Sequence, residues 1–371
     1  MLTVQKHIKV KSPGRINLIG EHTDYNNGFV LPAAIDKYIY IDASLRNDDV
    51  IELFSVDNNQ SYTTTTNTLL KSSMHWPDYV LGVVNELQKA GYITKGFNAS
   101  IHGDIPIGAG LSSSAALECA TIFALNELNE FGIDRITMVK LCQKAENNFV
   151  GLQCGIMDMF ASMMGKANHV IRLDCRSLEY EYFPLQLNDY KIVLLDTQVK
   201  HSLASSEYNT RRKECNEGVA LIQQKHNEVK SLREANIEMV HECIENGNVK
   251  NRCTFIVEEK KRLLNGCIDL QNANVQAFGK KMYATHTGLS ELYKVSCNEL
   301  DFLVNECSKE EKILGARMMG GGFGGCVISL MHQDFIEPIT QKIATAYKEQ
   351  MQKNLKVYIA TIGDGTSVIK E

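Results

Sequence analysis

Short runs rich in Ile, Val, Tyr and Phe alternate along this chain with stretches of helical period, but without a strict strand–helix–strand rhythm. Strands are expected at Lys37–Ser44, Val50–Val56, Gly96–His102, Val170–Asp174, Lys191–Asp196, Gly325–Leu330 and Lys356–Thr361. Helices are expected at Tyr79–Ala90 with Gly91 as a left-handed C-cap, at Ser113–Leu128, and at Thr137–Val150 with Gly151 after it. Glu146 falls on the last of these, beside the stripe Met138, Leu141, Cys142, Ala145 and Phe149. The charged, periodic stretch Leu203–Asn265 reads as solvated helices. Mixed elements without that rhythm predict an α+β fold rather than a doubly wound sheet. At 371 residues the chain suits two domains, and the helix-rich character that begins near residue 196 puts the boundary there, giving 1–196 and 197–371.

The segment Pro106-Ile-Gly-Ala-Gly-Leu-Ser-Ser-Ser114 lies between a strand pattern and a strong helix pattern. Gly108 and Gly110 allow positive φ and a close approach of main-chain N–H groups to an anion. Ser112–Ser114 would open the helix, whose first turn has free N–H groups and the positive dipole end. That is the chemistry a triphosphate needs. The lysine of a Walker A loop is missing, and no protein-kinase motif set follows. A glycine-rich turn capped by serine remains the plain alternative.

Two further segments stand out. Ser12–Tyr25 packs Arg15, Glu21, His22 and Asp24 close together, a set suited to hydroxyls that both donate and accept hydrogen bonds, as a sugar's do. A lone His-x-Asp is poor for zinc, and a charged solvent turn is the other reading. Gly320-Gly-Gly-Phe-Gly-Gly325, preceded by Arg317, implies backbone passing close to a phosphate or another loop, or else a hinge. A hydroxyl nucleophile also needs a base. Asp158, among Ile156, Met157, Met159 and Phe160, is the candidate, with Arg15 as the partner that keeps it ionised. Glu146 would suit a hard cation such as Mg²⁺, or be an exposed helix acid.

Composition excludes some classes. A net charge of −5 argues against nucleic-acid binding, and no run of about 18 apolar residues exists to span a membrane. The N-terminus lacks a signal-peptide core, and 11 scattered cysteines without a C-x-x-C pair point to a reducing, cytoplasmic setting.

These segments together resemble the GHMP kinase superfamily, named for galactokinase, homoserine kinase, mevalonate kinase and phosphomevalonate kinase. Pro106–Ser114 is similar to its phosphate motif and Gly315–Gly325 to its third motif, while Pro13–Pro32 resembles the signature of the galactokinase branch. His75–Gly82, Cys154–Met164, Asp174–Leu178 and His201–Tyr208 agree, so the likeness runs through nearly the whole chain. The resemblance implies an N-terminal ribosomal-S5-domain-2-like domain and a C-terminal ferredoxin-like domain with the active site in the cleft between them. It implies ATP-dependent phosphorylation of the C1 hydroxyl of galactose by a monomer. By the same resemblance Asp158 is the base and Arg15 its partner. Glu21, His22, Asp24, Gly155 and Tyr208 hold the sugar, and Ser114 and Glu146 hold Mg²⁺. Pro106, Gly108, Ala109, Gly110, Leu111, Ser112, Ser113 and Ser114 hold ATP, with Trp76 near the adenine. Met159 departs from the glutamine, and Lys200 from the arginine, that many relatives carry. A kinase of N-acetylgalactosamine, arabinose or galacturonate, and a non-catalytic galactose sensor, are the alternatives; the intact run Ser112-Ser-Ser-Ala-Ala116 speaks against the sensor.

Overall fold

The computed structural model describes residues 6–106, 108–199 and 204–370, with the backbone alone for 204–206. Ile107 of the glycine loop, Lys200 and residues 201–203 lie outside the described residues. A first sheet takes the order β13-β1-β3-β6-β4-β5. Its strands are β1 (His7–Asn17), β3 (Pro32–Leu45), β4 (Val50–Ser55), β5 (Gln60–Thr65), β6 (Phe97–Gly103) and β13 (Ser367–Val368), with β2 (Phe29–Val30) lying outside it. Only β4 and β6 run parallel; the other neighbours are antiparallel. This mixed pairing is the α+β arrangement that the broken rhythm predicts.

One face of the sheet is covered by α2 (Ser113–Asn129) and α4 (Met157–Met164), on which α1 (Trp76–Lys89) and α3 (Arg135–Lys144) pack. Gly91 closes α1 at φ +90, where a residue with a Cβ would be strained. The central helix is α2. It is apolar on nearly every side, and Ala115, Ala116, Ala120 and Ala124 let it lie close to β1 and β3. A helix buried all round is fixed at its ends, so the glycine loop that enters it is held by the core.

The α-helix expected to reach Val150 stops at Lys144. It continues as a π-helical turn, Ala145–Val150, before Gly151 at φ +94. Widening the helix there leaves Glu146 buried rather than half-exposed.

A second sheet, β10-β11-β9-β12, is antiparallel throughout, from β9 (Tyr190–Asp196), β10 (Ile313–Met318), β11 (Cys326–His332) and β12 (Lys356–Ala360). β9 ends at residue 196, and all its ladder bonds go to this second sheet. A small third sheet joins β2 to β7 (His169–Asp174) and β8 (Tyr180–Pro184).

Around the second sheet lie α5 (Ala204–Gln223), α6 (Ile237–Cys243), α7 (Asn248–Gln271), α8 (Val275–Thr287), α9 (Asn298–Ser308) and α10 (Ile336–Met351). The stretch read as solvated is helical as expected, but it is not only surface. Cys215, Ile222, Val240, Cys253, Phe255 and Ile256 are buried and form one side of the second core, and Leu263 is buried in the third cluster. The abundant charges occupy the outer faces and mask the inner stripe.

A third apolar cluster joins the two sheets' territories. Ile16, Leu18, Ile105 and Leu111 from the first half pack with Phe278, Met319, Cys326 and Ile328 from the second. The glycine loop and the third motif meet directly above this cluster. The C-terminus then returns to the first sheet, Val368 opposite Val10, and Thr366 bonds Ser12 and Ser162.

Candidate active site

Arg15 sits where β1 loses register. The ladder to β3 shifts between Pro13 and Arg15, and a Cβ on Gly14 would lie 2.8 Å from the Leu111 carbonyl. The missing side chain lets β1 approach the glycine loop, and the Arg15 amide donates to Leu111 O at 3.1 Å. The guanidinium then reaches Gly110 O through Nη1 at 2.5 Å. Its Nε and Nη2 grip Asp158 Oδ1 and Oδ2, both at 2.8 Å. This planar two-point contact is the strong form of the ion pair. Burial works against the charge of Arg15, but Asp158 outweighs it and raises the pKa, with Glu21 and Asp24 adding to the effect. Asp158 opens α4, and the hydroxyl of Ser112 donates to its Oδ2.

Ser112 itself has φ +58, a conformation costly for a residue with a side chain. Gly108 at +82 and Gly110 at +74 share the left-handed region freely. The loop thus turns its amides and the Ser113 and Ser114 end of α2 toward a cavity of about 400 Å³. Gly320–Gly325 forms the opposite wall. Ala109 faces away, fully buried in the apolar cluster beneath.

A second cavity of about 450 Å³ adjoins the first, sharing Arg15 and Gly320–Gly322 as a common wall. It is lined by Glu21, His22, Asp24, Gly155, Asp158 and Tyr208. The five residues expected to hold sugar, spread over nearly 190 positions of sequence, therefore meet the expected base in one chamber. Gly155 is required there, because a Cβ would fall 1.7 Å from Asp24 Oδ2. Burial raises the Asp24 pKa to about 6, aided by Asp158 and Glu21. Burial lowers that of His22 to about 4, so its ring is neutral, and Nδ1 lies 2.8 Å from the Tyr25 hydroxyl. Tyr25 in turn bonds the Tyr293 hydroxyl at 2.8 Å, and Tyr208 packs on His22 and Tyr25.

Glu21 also has a bracing role. Its Oε1 accepts from Arg317 Nη2 at 2.9 Å and from the Gly320 amide at 2.8 Å. Arg317, fully buried, donates further to the carbonyls of Leu18, Asn17 and Met318. The pair fastens the start of the glycine-rich wall to the end of β1.

Glu146 lies behind the phosphate loop. Burial raises its pKa to about 7, while hydrogen bonds from the Cys154 thiol (3.2 Å) and Ser114 oppose the rise. Glu118, one turn after Ser114, is buried with neither carboxyl oxygen hydrogen-bonded, and burial with Glu146 nearby lifts its pKa well above the usual range. Trp76 lines neither cavity: it packs on the first core, and its Nε1 donates to Gln60 at 3.1 Å.

Sequence reasoning did not find Glu118, Tyr293 or the Glu21–Arg317 clasp. An acid set among Ala115, Ala116 and Ala120 was a usable signal for Glu118. Nothing local signals Tyr293, which lies 268 residues from the tyrosine it bonds.

Family models place the chain by class. The models of the GHMP kinase N-terminal and C-terminal domains match residues 78–166 and 268–349, so the fold is that of a two-domain GHMP kinase. The mevalonate kinase of Methanococcus jannaschii has the same fold at TM-score 0.68 and 20% identity, covering 97% of this chain and 99% of its own. The galactose-binding signature of galactokinases matches residues 4–45. The galactokinase of Thermotoga petrophila is 41% identical over 98% of this chain and 100% of its own, and that of Clostridium acetobutylicum 39% identical over 96% and 94%. A Lactococcus lactis galactokinase solved with galactose superposes at TM-score 0.94 and 36% identity, covering 98% of this chain and 95% of its own. The chain belongs to the galactokinase family.

Proposed function

We propose that this protein is a galactokinase that uses Mg²⁺ and ATP to phosphorylate the C1 hydroxyl of α-D-galactose, giving galactose 1-phosphate and ADP. The observation that carries the reading is the shared wall. Arg15 borders both the anion-suited cavity and the sugar-suited one while gripping Asp158 at two points. A hydroxyl in the second chamber and a phosphoryl group in the first would meet beside that pair.

Asp158 orients the attacking hydroxyl and receives its proton, and Arg15 holds the carboxylate at two points and faces the transferring group. The loop amides and Ser112–Ser114 bind phosphate oxygens, and Glu21, His22, Asp24, Gly155 and Tyr208 fix the sugar. The ATP-binding role of Pro106, Gly108, Gly110 and Leu111 rests on their lining of the first cavity. That of Ala109 rests on its backbone, and that of Trp76 on the family resemblance alone.

The residues present fit a hard divalent cation. Glu146 is a buried carboxyl beside Ser114, held near neutrality by burial, and the orphaned Glu118 lies behind it. Mg²⁺ held by Ser114 and Glu146 would neutralise charge on the phosphate chain. A cytoplasmic location accords with 11 free thiols. Action as a monomer completes the proposal.

A coupled assay of ADP release across a panel of sugars tests the reading. Galactose is expected to give the highest kcat/KM, with the 2-substituted and deoxy sugars well below it. Turnover of N-acetylgalactosamine, arabinose or galacturonate in preference to galactose, or binding without ADP release, would overturn it.

A further inference from the structure

We infer that the far end of α5 carries a binding site for a transition-metal dication of the zinc class, built from His226, Glu242 and Cys243. Their ligand atoms all lie within 4.8 Å of one another. His226 follows α5, its amide bonded to Ile222 O at 2.9 Å, and Glu242 and Cys243 end α6. The N-terminal part of α5 reaches the sugar chamber at Tyr208. About 15 residues of helical rise from Tyr208 to Gln223 span roughly 22 Å, and His226 lies just beyond that end. The site is separate from the phosphate-transfer centre.

Several observations converge on a cation. The C-terminal ends of α5 and α6 meet here, so both helices turn their negative dipole ends toward the same point. The donor set is imidazole, carboxylate and thiol, a mixture that suits zinc over magnesium or calcium. His226 Nε2 and Glu242 Oε2 already stand 3.2 Å apart. Metal–ligand bonds of about 2.0–2.3 Å at tetrahedral angles require ligands about 3.3–3.8 Å apart. The Cys243 thiol, within 4.8 Å of both, has about 1.5 Å or less to close to reach that range. The other ring nitrogen, Nδ1, has the Glu228 carboxylate 3.7 Å away, on the side from which a carboxylate can orient a metal-bound histidine. Lys225 sits on Glu242 Oε1, which leaves Oε2 for the ion. A water would complete the fourth position, toward the cavity beside α6.

The test is uptake of zinc by the full chain against a chromophoric chelator, repeated with cobalt for its spectrum. One ion per chain is expected, with a thiolate-to-cobalt charge-transfer band and a raised thermal midpoint. Cys243→Ser should abolish the band, and His226→Gln should weaken zinc binding by about 10-fold or more. Melts without metal show whether each variant is folded. Substoichiometric uptake, a cobalt spectrum without the thiolate band, or the same affinity in both folded variants as in the parent would overturn the site. Because other half-buried thiols could take up zinc, retention of the band in Cys243→Ser counts against it as well.

Discussion

At the scale of single residues the site is built by close approach and by burial. Gly155 is absolute in its demand, because any side chain displaces the Asp24 carboxylate. Gly155→Ala should raise the KM for galactose by about 10-fold or more while leaving that for ATP within a few-fold, since only the sugar chamber changes. Steady-state kinetics with each substrate varied in turn decides it. Burial of Glu146 gives a pH signature. Its folded pKa of about 7 exceeds the ordinary 4.5, so the folded state binds more protons than the unfolded one between those values. Stability from this group is therefore present at low pH and is lost as pH rises from about 4.5 to 7. Glu146→Gln, neutral at every pH, should gain thermal midpoint relative to the parent between pH 5 and pH 8 without added metal. A constant difference across that range would refute the burial argument. The sequence showed which residue types were gathered around Asp158, since Arg15 and the acids stand in short, distinctive segments. It could not show that Glu21 shares its charge with Arg317, because that contact spans 296 residues.

Between elements, the clasp of Glu21 and Arg317 is the main brace. It ties β1 to the third motif through a buried ion pair whose side chains are 3% and 0% exposed. Breaking one partner of such a pair costs about 3–5 kcal/mol, because the other charge is left buried. Arg317→Met should lower unfolding stability by that amount in denaturant titration and loosen both cavities. Adding Glu21→Gln should recover part of the loss, because the stranded charge is then gone. A loss that simply adds would show that the two side chains act independently. The strands β3, β4, β6, β7, β9, β11 and β12 were legible, because alternation and apolar runs report buried faces directly, whereas β1, β5, β8 and β10 were not among the expected strands. The π-turn at Ala145–Val150 was not, since π and α turns share one sequence pattern and differ in what tertiary packing selects. The inner stripe of α5–α7 was hidden for a different reason: dense outer charge dominated the reading.

In the whole molecule, the third apolar cluster explains why two remote glycine-rich loops face each other. Leu111, in the phosphate loop, and Met319, within the third motif, are packed into the same core. The cavities above it inherit their spacing from that packing, and Arg15 stands at their junction. The change of texture near residue 196 was visible, but β9, on the N-terminal side of that boundary, pairs within the second sheet, and the return of the C-terminal strand to β1 was not visible. A two-residue strand carries no periodicity of its own.

The central claim is that Asp158 at this junction drives phosphoryl transfer. It is tested by comparing Asp158→Asn with the parent for galactose-dependent ADP release, alongside calorimetric binding of galactose. The account predicts a folded variant that still binds galactose and whose kcat falls by about 100-fold or more. Transfer at a rate within a few-fold of the parent would contradict it.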